Sequence, residues 1–321
     1  MELINKKENI FGDNIAFVEQ YDFSTANMNE ENRIKAITRI ASICYQNPKA
    51  LGSESLYNRL MAESMGLPSS SFEFVPVLLD GENTKHHRLI EMLLPTSNMY
   101  KYGEKIDNRY LLTNYRALVY EFENKSKELD ESYGHRTPEE QKDFEARLKE
   151  LETLFLKFYN TEEECEIIKE HFKVFLYKVD LPTRSQMVRH RISWQELSRR
   201  YVSGSRVPFE FYISEKMKGL ESEHEDYYMD GMSDFETDFT NTHSTEKLIE
   251  MCIEHYYQAL EQGVKPQEAR RIIPQAAYTQ IWGAFMPKQL DNYFKLRLDK
   301  HAQWEIRMVS KAMQELINGR K

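Results

Sequence analysis

Six arginines fall between Arg184 and Arg206: Arg184, Arg189, Arg191, Arg199, Arg200 and Arg206, with no lysine among them. Elsewhere in the chain lysine is plentiful, so random basic decoration would have mixed the two. A guanidinium is a planar fork that binds phosphate bidentately and stacks on flat rings, which an ammonium does not. Crowded cations repel, and an anion placed among them offsets that cost. One reading of the stretch is therefore a site for a phosphorylated, planar ligand. On the residues alone, two others stay open. The arginines could pair with the chain's surplus acids. They could also form a nucleic-acid patch, with His190, Trp194 and Tyr201 stacking on bases. His190 by itself fits a satisfied structural histidine, and nothing near Ser198 supplies a Ser-His-Asp relay. The sequence has neither a Walker loop nor a Gly-x-Gly-x-x-Gly turn, so a nucleotide would not be held in either of those ways. His86 and His87 are adjacent, point apart on a helix, and make a poor metal pair.

Composition narrows the choices. The 321 residues carry 43 Lys and Arg against 52 Asp and Glu, a net charge of -9, which argues against a general nucleic-acid coat. Hydrophobic residues make up 40% and aromatics 12%, enough for a packed core in one large domain or two ordinary ones. No apolar run approaches the roughly 20 residues of a membrane span. The first residues lack an apolar signal core. Cys44, Cys165 and Cys252 are odd in number and far apart, which suits a reducing cytoplasm and no zinc or disulfide framework.

The elements that must position these groups can be read in outline. Residues 13–22 and Phe172–Leu181 read as strands, and Ser69–Leu79 as a strand entry. Asn32–Cys44 has helical spacing, with Ile34, Ile37, Ile40 and Ile43, and Ser53 caps a helix to about Met65. From about 80 to 170 the chain is rich in Lys and Glu and poor in Gly. Tyr110–Leu129 reads as one helix. Thr137-Pro138-Glu139-Glu140 starts another, with Phe144, Leu148, Leu151, Phe155 and Phe158 in one stripe. The two are expected to be antiparallel, joined near Ser132–Arg136, the stripe being core or a partner's seat. Glu221–Glu246 is acidic and reads as an irregular loop. Thr245–Gln262 is a helix capped by Thr245 and stopped by Gly263. Pro287 opens another, and Asp299 is expected to cap the last, through about Asn318. Trp304 reads as core and His301 as structural.

Gln186, Arg189-His190-Arg191 and Glu196-Leu197-Ser198-Arg199-Arg200-Tyr201, in that order, resemble the signature of the flavin-dependent thymidylate synthases, the ThyX family. Phe209-Glu210-Phe211-Tyr212-Ile213 also fits. Two further segments are similar to that family's motifs, in the same order. These are Glu268-Ala269-Arg270-Arg271-Ile272-Ile273-Pro274 and Leu296-Arg297-Leu298-Asp299-Lys300-His301-Ala302-Gln303-Trp304-Glu305-Ile306. The resemblance is weak over 1–75, good over 172–317, and absent from 76–171. It implies a single catalytic domain, 1–321, of α+β class. A mixed sheet would be flanked by long helices, with 76–171 inserted as a helical hairpin.

By this resemblance the protein is an enzyme that methylates deoxyuridylate at C5. Methylenetetrahydrofolate would give the carbon, NADPH the electrons, and tightly bound FAD would reduce the ring, with no cysteine nucleophile near the site. A homotetramer with cofactor sites between subunits is implied, in the cytoplasm, without nucleic-acid or membrane partners. Ser70, Arg189, His190, Arg191, Glu196, Lys288 and Asn292 would bind the cofactor. Gln186, Arg189, Glu196, Leu197, Ser198, Arg199, Arg200, Arg270 and Arg297 would bind the nucleotide, with Arg297 also the catalytic cation at the pyrimidine edge. The sequence departs from the family's pattern in four places. Six residues, Ile192–Leu197, separate Arg191 from Ser198, one fewer than in the family. Gln195 replaces an Asn and Pro68 a His. Met286 and Lys288 stand where Asn and Arg are usual, and Lys288 keeps the charge without the fork. The short spacer leaves room for a related enzyme with altered one-carbon chemistry on the same nucleotide. A non-enzymatic nucleic-acid binder is the alternative outside the family.

Overall fold

The computed structural model describes residues 1–13, 15–62, 69–94, 103–226 and 239–319. The first half of the chain forms β1 (Glu2–Glu8), β2 (Phe17–Asp22), α1 (Glu30–Tyr45), α2 (Glu54–Ala62), β3 (Pro76–Asp80), α3 (Thr84–Leu93), β4 (Gly103–Ile106), β5 (Tyr110–Asn114), α4 (Tyr115–Tyr133) and α5 (Pro138–Phe155). The second half forms α6 (Glu162–His171), β6 (Lys173–Asp180), α7 (Leu181–Met187), β7 (Ser193–Glu196), β8 (Glu221–Asp226), β9 (Phe239–Ser244), α8 (Thr245–Glu261), α9 (Pro266–Ala269), β10 (Tyr278–Phe285), α10 (Pro287–Arg297) and α11 (Trp304–Asn318). The α+β class expected from the sequence is the one the chain adopts.

The principal sheet has the order β1-β2-β6-β10-β7. β6 alternates as its sequence predicts, and β10 is buried along nearly its whole length, as a central strand should be. β7 pairs antiparallel with β10, which sets Trp194 opposite Gly283. A Cβ at Gly283 would stand 2.5 Å from the Trp194 ring, so this position has to be bare for the indole to lie on the strand.

The chain divides into two compact units. The first comprises Met1–Val179, Thr183–Leu197 and Gln280–Lys321; the second comprises Asp180–Pro182 and Ser198–Thr279. One core cluster of the first unit is built across distant segments. Ile37 and Ile40 of α1 and Phe72 join Leu78, Leu112, Leu118, Phe155 and Ile168, so the 76–171 segment shares this core. Buried Arg33 helps tie the parts together. It donates to Asn27 Oδ1 and to the carbonyls of Leu156 and Phe158, with its guanidinium 3.9 Å from the Tyr115 ring centre. α5 begins where Thr137-Pro138-Glu140 said it would, with a complete capping box. α4 and α5 pack on each other across the turn 134–137, with Tyr133 edge-on to Phe144.

In the second unit Tyr256 of α8 is the buried hub. Its hydroxyl accepts from the Gly204 N–H at 3.2 Å, and Phe209 meets it edge-on at 5.0 Å.

Several sequence expectations need correcting. β1 was not foreseen. Tyr110–Asn114 is a strand rather than the start of a helix, because it pairs with both β3 and β4. The acidic stretch read as an irregular loop contains the β8–β9 hairpin, whose strands lack the apolar alternation that would announce them; its residues 227–238 lie outside the described ones. Ser244, not Thr245, caps α8, accepting from the Lys247 N–H. Asp299 does not cap α11, which starts after Gln303; its carboxylate accepts from the N–H and ring of His301. Trp304 is 42% exposed and so is not core.

Candidate active site

The arginine stretch is presented by a short helix, a tight turn and a strand. α7 ends at Met187, whose carbonyl accepts from the His190 N–H at 3.1 Å. Trp194, at the start of β7, donates its indole N–H to the His190 carbonyl at 3.0 Å. This closes the turn that holds Arg189, His190 and Arg191. The turn leaves the Arg189 and Arg191 side chains exposed and buries His190, which is 7% exposed.

α10 supplies the second set. Lys288, Asn292 and Arg297 lie on it, and together with Arg189, His190 and Arg191 they line one cavity of about 1240 Å³ within the first unit. The apolar part of the lining is Leu94, Leu111, Ile192, Met286 and Leu296. A further part of the wall is β4, with Glu104 and Lys105. Nothing in the sequence marked these two among so many charged residues; only the fold brings them here.

His190 and Arg297 form the most structured contact. Arg297 donates from Nε to His190 Nε2 at 2.8 Å and from Nη2 to the Gln186 carbonyl at 2.9 Å. The imidazole packs against Tyr293, ring centres 4.7 Å apart. Burial, and then the Arg297 cation, push the His190 pKa down to about 4. The ring is therefore neutral at neutral pH, and since Nε2 accepts, its proton sits on Nδ1.

Other expected residues are placed differently. Ser70, on a 3-10 turn, donates to Gln195 Oε1 at 2.6 Å. Gln195 donates onward to Cys44 Sγ at 2.8 Å, and the Cys44 thiol lies 3.2 Å from the Glu196 carbonyl. The expectation that no cysteine is near the site is thus corrected: α1 carries Cys44 to the back of β7. Burial raises its thiol pKa, so the neutral, weakly nucleophilic form dominates. Glu196 pairs with Arg184 at 3.0 Å, the ion-pair reading realised for that arginine. Gln186 donates to Gln303.

Leu197 is buried at the end of the first unit. Ser198, Arg199, Arg200 and Arg270 belong to the second unit. There Arg199 is engaged by its own loop, donating to the Val207 carbonyl at 2.5 Å and lying 4.3 Å over the Phe209 ring. Arg200 and Arg270 are exposed. Pro68 lies outside the described residues. His86 is structural, its Nδ1 accepting from the Asp80 N–H at 3.0 Å. Among the described residues no group of three or more His, Cys, Asp or Glu could hold a metal ion, and no helix is long and apolar enough to cross a membrane.

Comparison with known proteins places this geometry in context. A family model described as "Thymidylate synthase complementing protein" matches residues 113–320. The flavin-dependent thymidylate synthase of Thermosipho africanus is 31% identical over 189 residues, covering 54% of this chain and 72% of its own. That of Kosmotoga olearia is 31% identical over 172 residues, covering 51% and 71%. A crystal structure of a UMP/dUMP methylase, PolB, from Streptomyces cacaoi bound with 5-Br UMP is 23% identical, covers 44% of this chain and 66% of that one, and has a TM-score of 0.33.

Proposed function

This chain belongs to the family of thymidylate synthase complementing proteins, and from that premise we propose that it is a flavin-dependent thymidylate synthase converting deoxyuridylate to thymidylate. Methylenetetrahydrofolate is the proposed carbon donor, NADPH the reductant and FAD the bound cofactor. The observation that carries the reading is the convergence of two distant motif segments on one cavity. Arg189, His190 and Arg191 reach it from one side of the sequence, and Lys288, Asn292 and Arg297 from the other.

The lining suits FAD. Two exposed guanidinium groups, Arg189 and Arg191, match a pyrophosphate, and the apolar residues match a flat ring. A volume of about 1240 Å³ exceeds the ~300–1,000 Å³ usual for small ligands, as a dinucleotide requires. The chemistry asked of FAD is hydride delivery to the pyrimidine ring; the residues do the rest. Arg189 and Arg191 hold the cofactor, with Ser70 and Glu196 as further contacts. Arg297, held by His190 and Gln186, keeps a positive charge at a fixed position where negative charge develops on the ring. Neutral His190 can accept that hydrogen bond without adding a second cation. Gln186, Glu196 and Leu197, with Ser198, Arg199, Arg200 and Arg270 of the second unit, are the proposed nucleotide contacts. No cysteine adds to the base in this scheme, consistent with the raised pKa of Cys44.

We further take the two units as one catalytic domain with 76–171 added to it, working as a cytoplasmic homotetramer. The six-residue spacer Ile192–Leu197 favours one second reading, altered one-carbon chemistry on the same nucleotide.

The test is the visible spectrum of the purified protein. Flavin bands are expected, with deoxyuridylate speeding reoxidation of the reduced flavin. Colourless protein that cannot be reconstituted with FAD ends the proposal. The mass of the product formed from deoxyuridylate and the folate separates methylation from the second reading.

A further inference from the structure

The wall formed by β4 lies before residue 113, where the match to the family model begins, and it sets a carboxylate where an anion is favoured. α10 starts with Pro287, which has no N–H, and its cap residue Met286 has no side-chain oxygen to offer. The Met286 N–H is met by Gln289 Oε1 at 3.0 Å. The Lys288 N–H, at the positive end of the helix, is met by both oxygens of Glu104, at 3.1 and 3.2 Å. The two residues are 184 positions apart in the chain. A helix N-terminus commonly receives a ligand's phosphate; here the chain supplies the anion itself. Glu104 is half-buried and lines the same cavity as Arg189 and Arg191, whose side chains are exposed. A phosphate at α10 would have to displace Glu104 or sit beside it, at the cost of two like charges in a partly buried place.

We propose that Glu104 is a specificity-determining residue of this cavity. Its carboxylate occupies the anion position at the start of α10. That end therefore receives an uncharged, hydrogen-donating portion of the ligand, such as a sugar hydroxyl or a purine amino group. Phosphate is directed to Arg189 and Arg191. The inference rests on the reading that a flavin dinucleotide enters the cavity, and it adds which portion lies at α10. It also gives β4 a role in ligand choice.

The experiment uses the full-length protein stripped of flavin, as wild type, Glu104→Gln and Glu104→Ala. The glutamine keeps the size and the acceptor for Lys288 while removing the charge. FAD binding is followed by flavin fluorescence, with adenosine and inorganic pyrophosphate as competitors. In the wild type, adenosine should compete at the α10 end, and pyrophosphate only through Arg189 and Arg191. In Glu104→Gln, pyrophosphate should compete about 5-fold more tightly or better, the scale of a like charge removed at a helix end, and adenosine should weaken. FAD binding with unchanged competition in Glu104→Gln, melting as the wild type does, overturns this inference alone. Wild-type protein that binds no FAD overturns the functional reading and the inference with it.

Discussion

Arg297 donates through Nε to Nε2 of His190 across 2.8 Å, although the two residues are 107 positions apart. The contact orders both partners. It fixes the imidazole tautomer, and with the bond to the Gln186 carbonyl it leaves the guanidinium few orientations. A cation pre-set in this way needs no reorganisation when charge develops beside it.

Arg297→Ala should therefore lower kcat by about 10²–10³-fold or more, the cost of removing one pre-organised charge stabiliser. FAD affinity should stay close to wild type, because Arg189, Arg191 and Lys288 remain. Steady-state kinetics and a flavin titration measure the two effects separately, and wild-type turnover would refute the role.

His190 makes stability depend on acid. Its folded pKa, about 4, lies below the ordinary 6.5. Below pH 6.5 the unfolded chain takes up a proton that the folded chain refuses. The stabilisation is present above pH 6.5 and is lost as pH falls toward 4, by about 3 kcal/mol for the full shift. Thermal melts between pH 7 and 4 should fall more steeply for wild type than for His190→Asn. Parallel curves would show that His190 is not the group involved.

Cys44→Ala should retain turnover within a few-fold. Burial disfavours the thiolate, and the side chain serves as a spacer between Gln195 and the Glu196 carbonyl. A loss of several orders of magnitude, with folding intact, would instead make Cys44 a nucleophile.

Arg116 of α4 is paired with the buried carboxylate of Glu73, on the same 3-10 turn as Ser70. Arg116→Met should cost about 3–5 kcal/mol, since it strands a buried charge. Adding Glu73→Leu should recover most of that loss. Chemical denaturation of the single and double variants decides, and a double variant no better than Arg116→Met would contradict the pairing.

Arg200→Lys should weaken deoxyuridylate binding by about 1–3 kcal/mol, the value of one charge-assisted hydrogen bond. Wild-type affinity by calorimetry would remove Arg200 from the phosphate site.

Local chemistry announced much of this fold. Thr137, Pro138 and Glu140 mark α5 because caps act through residues three apart, and Pro287 marks α10 for the same kind of local reason. The arginine stretch stood out because it holds six arginines and no lysine, although Arg184 turns out to pair with Glu196 and Arg199 with its own loop. What stayed hidden depends on distant partners. Tyr110–Asn114 is a strand only because β3 and β4 flank it, and β8 and β9 are polar strands that only pairing reveals. Glu104 and Cys44 look like ordinary residues until the chain folds them against α10 and β7.

The long-range bonds that build the cavity carry a consequence for the order of events in the cell. Glu104 finds Lys288, and His190 finds Arg297, only after the polypeptide past β10 has been made. A nascent chain still lacking α10 lacks the side of the cavity that carries Lys288, Asn292 and Arg297. A ligand for this cavity can be engaged only once α10 has taken its place against β4 and the His190 turn.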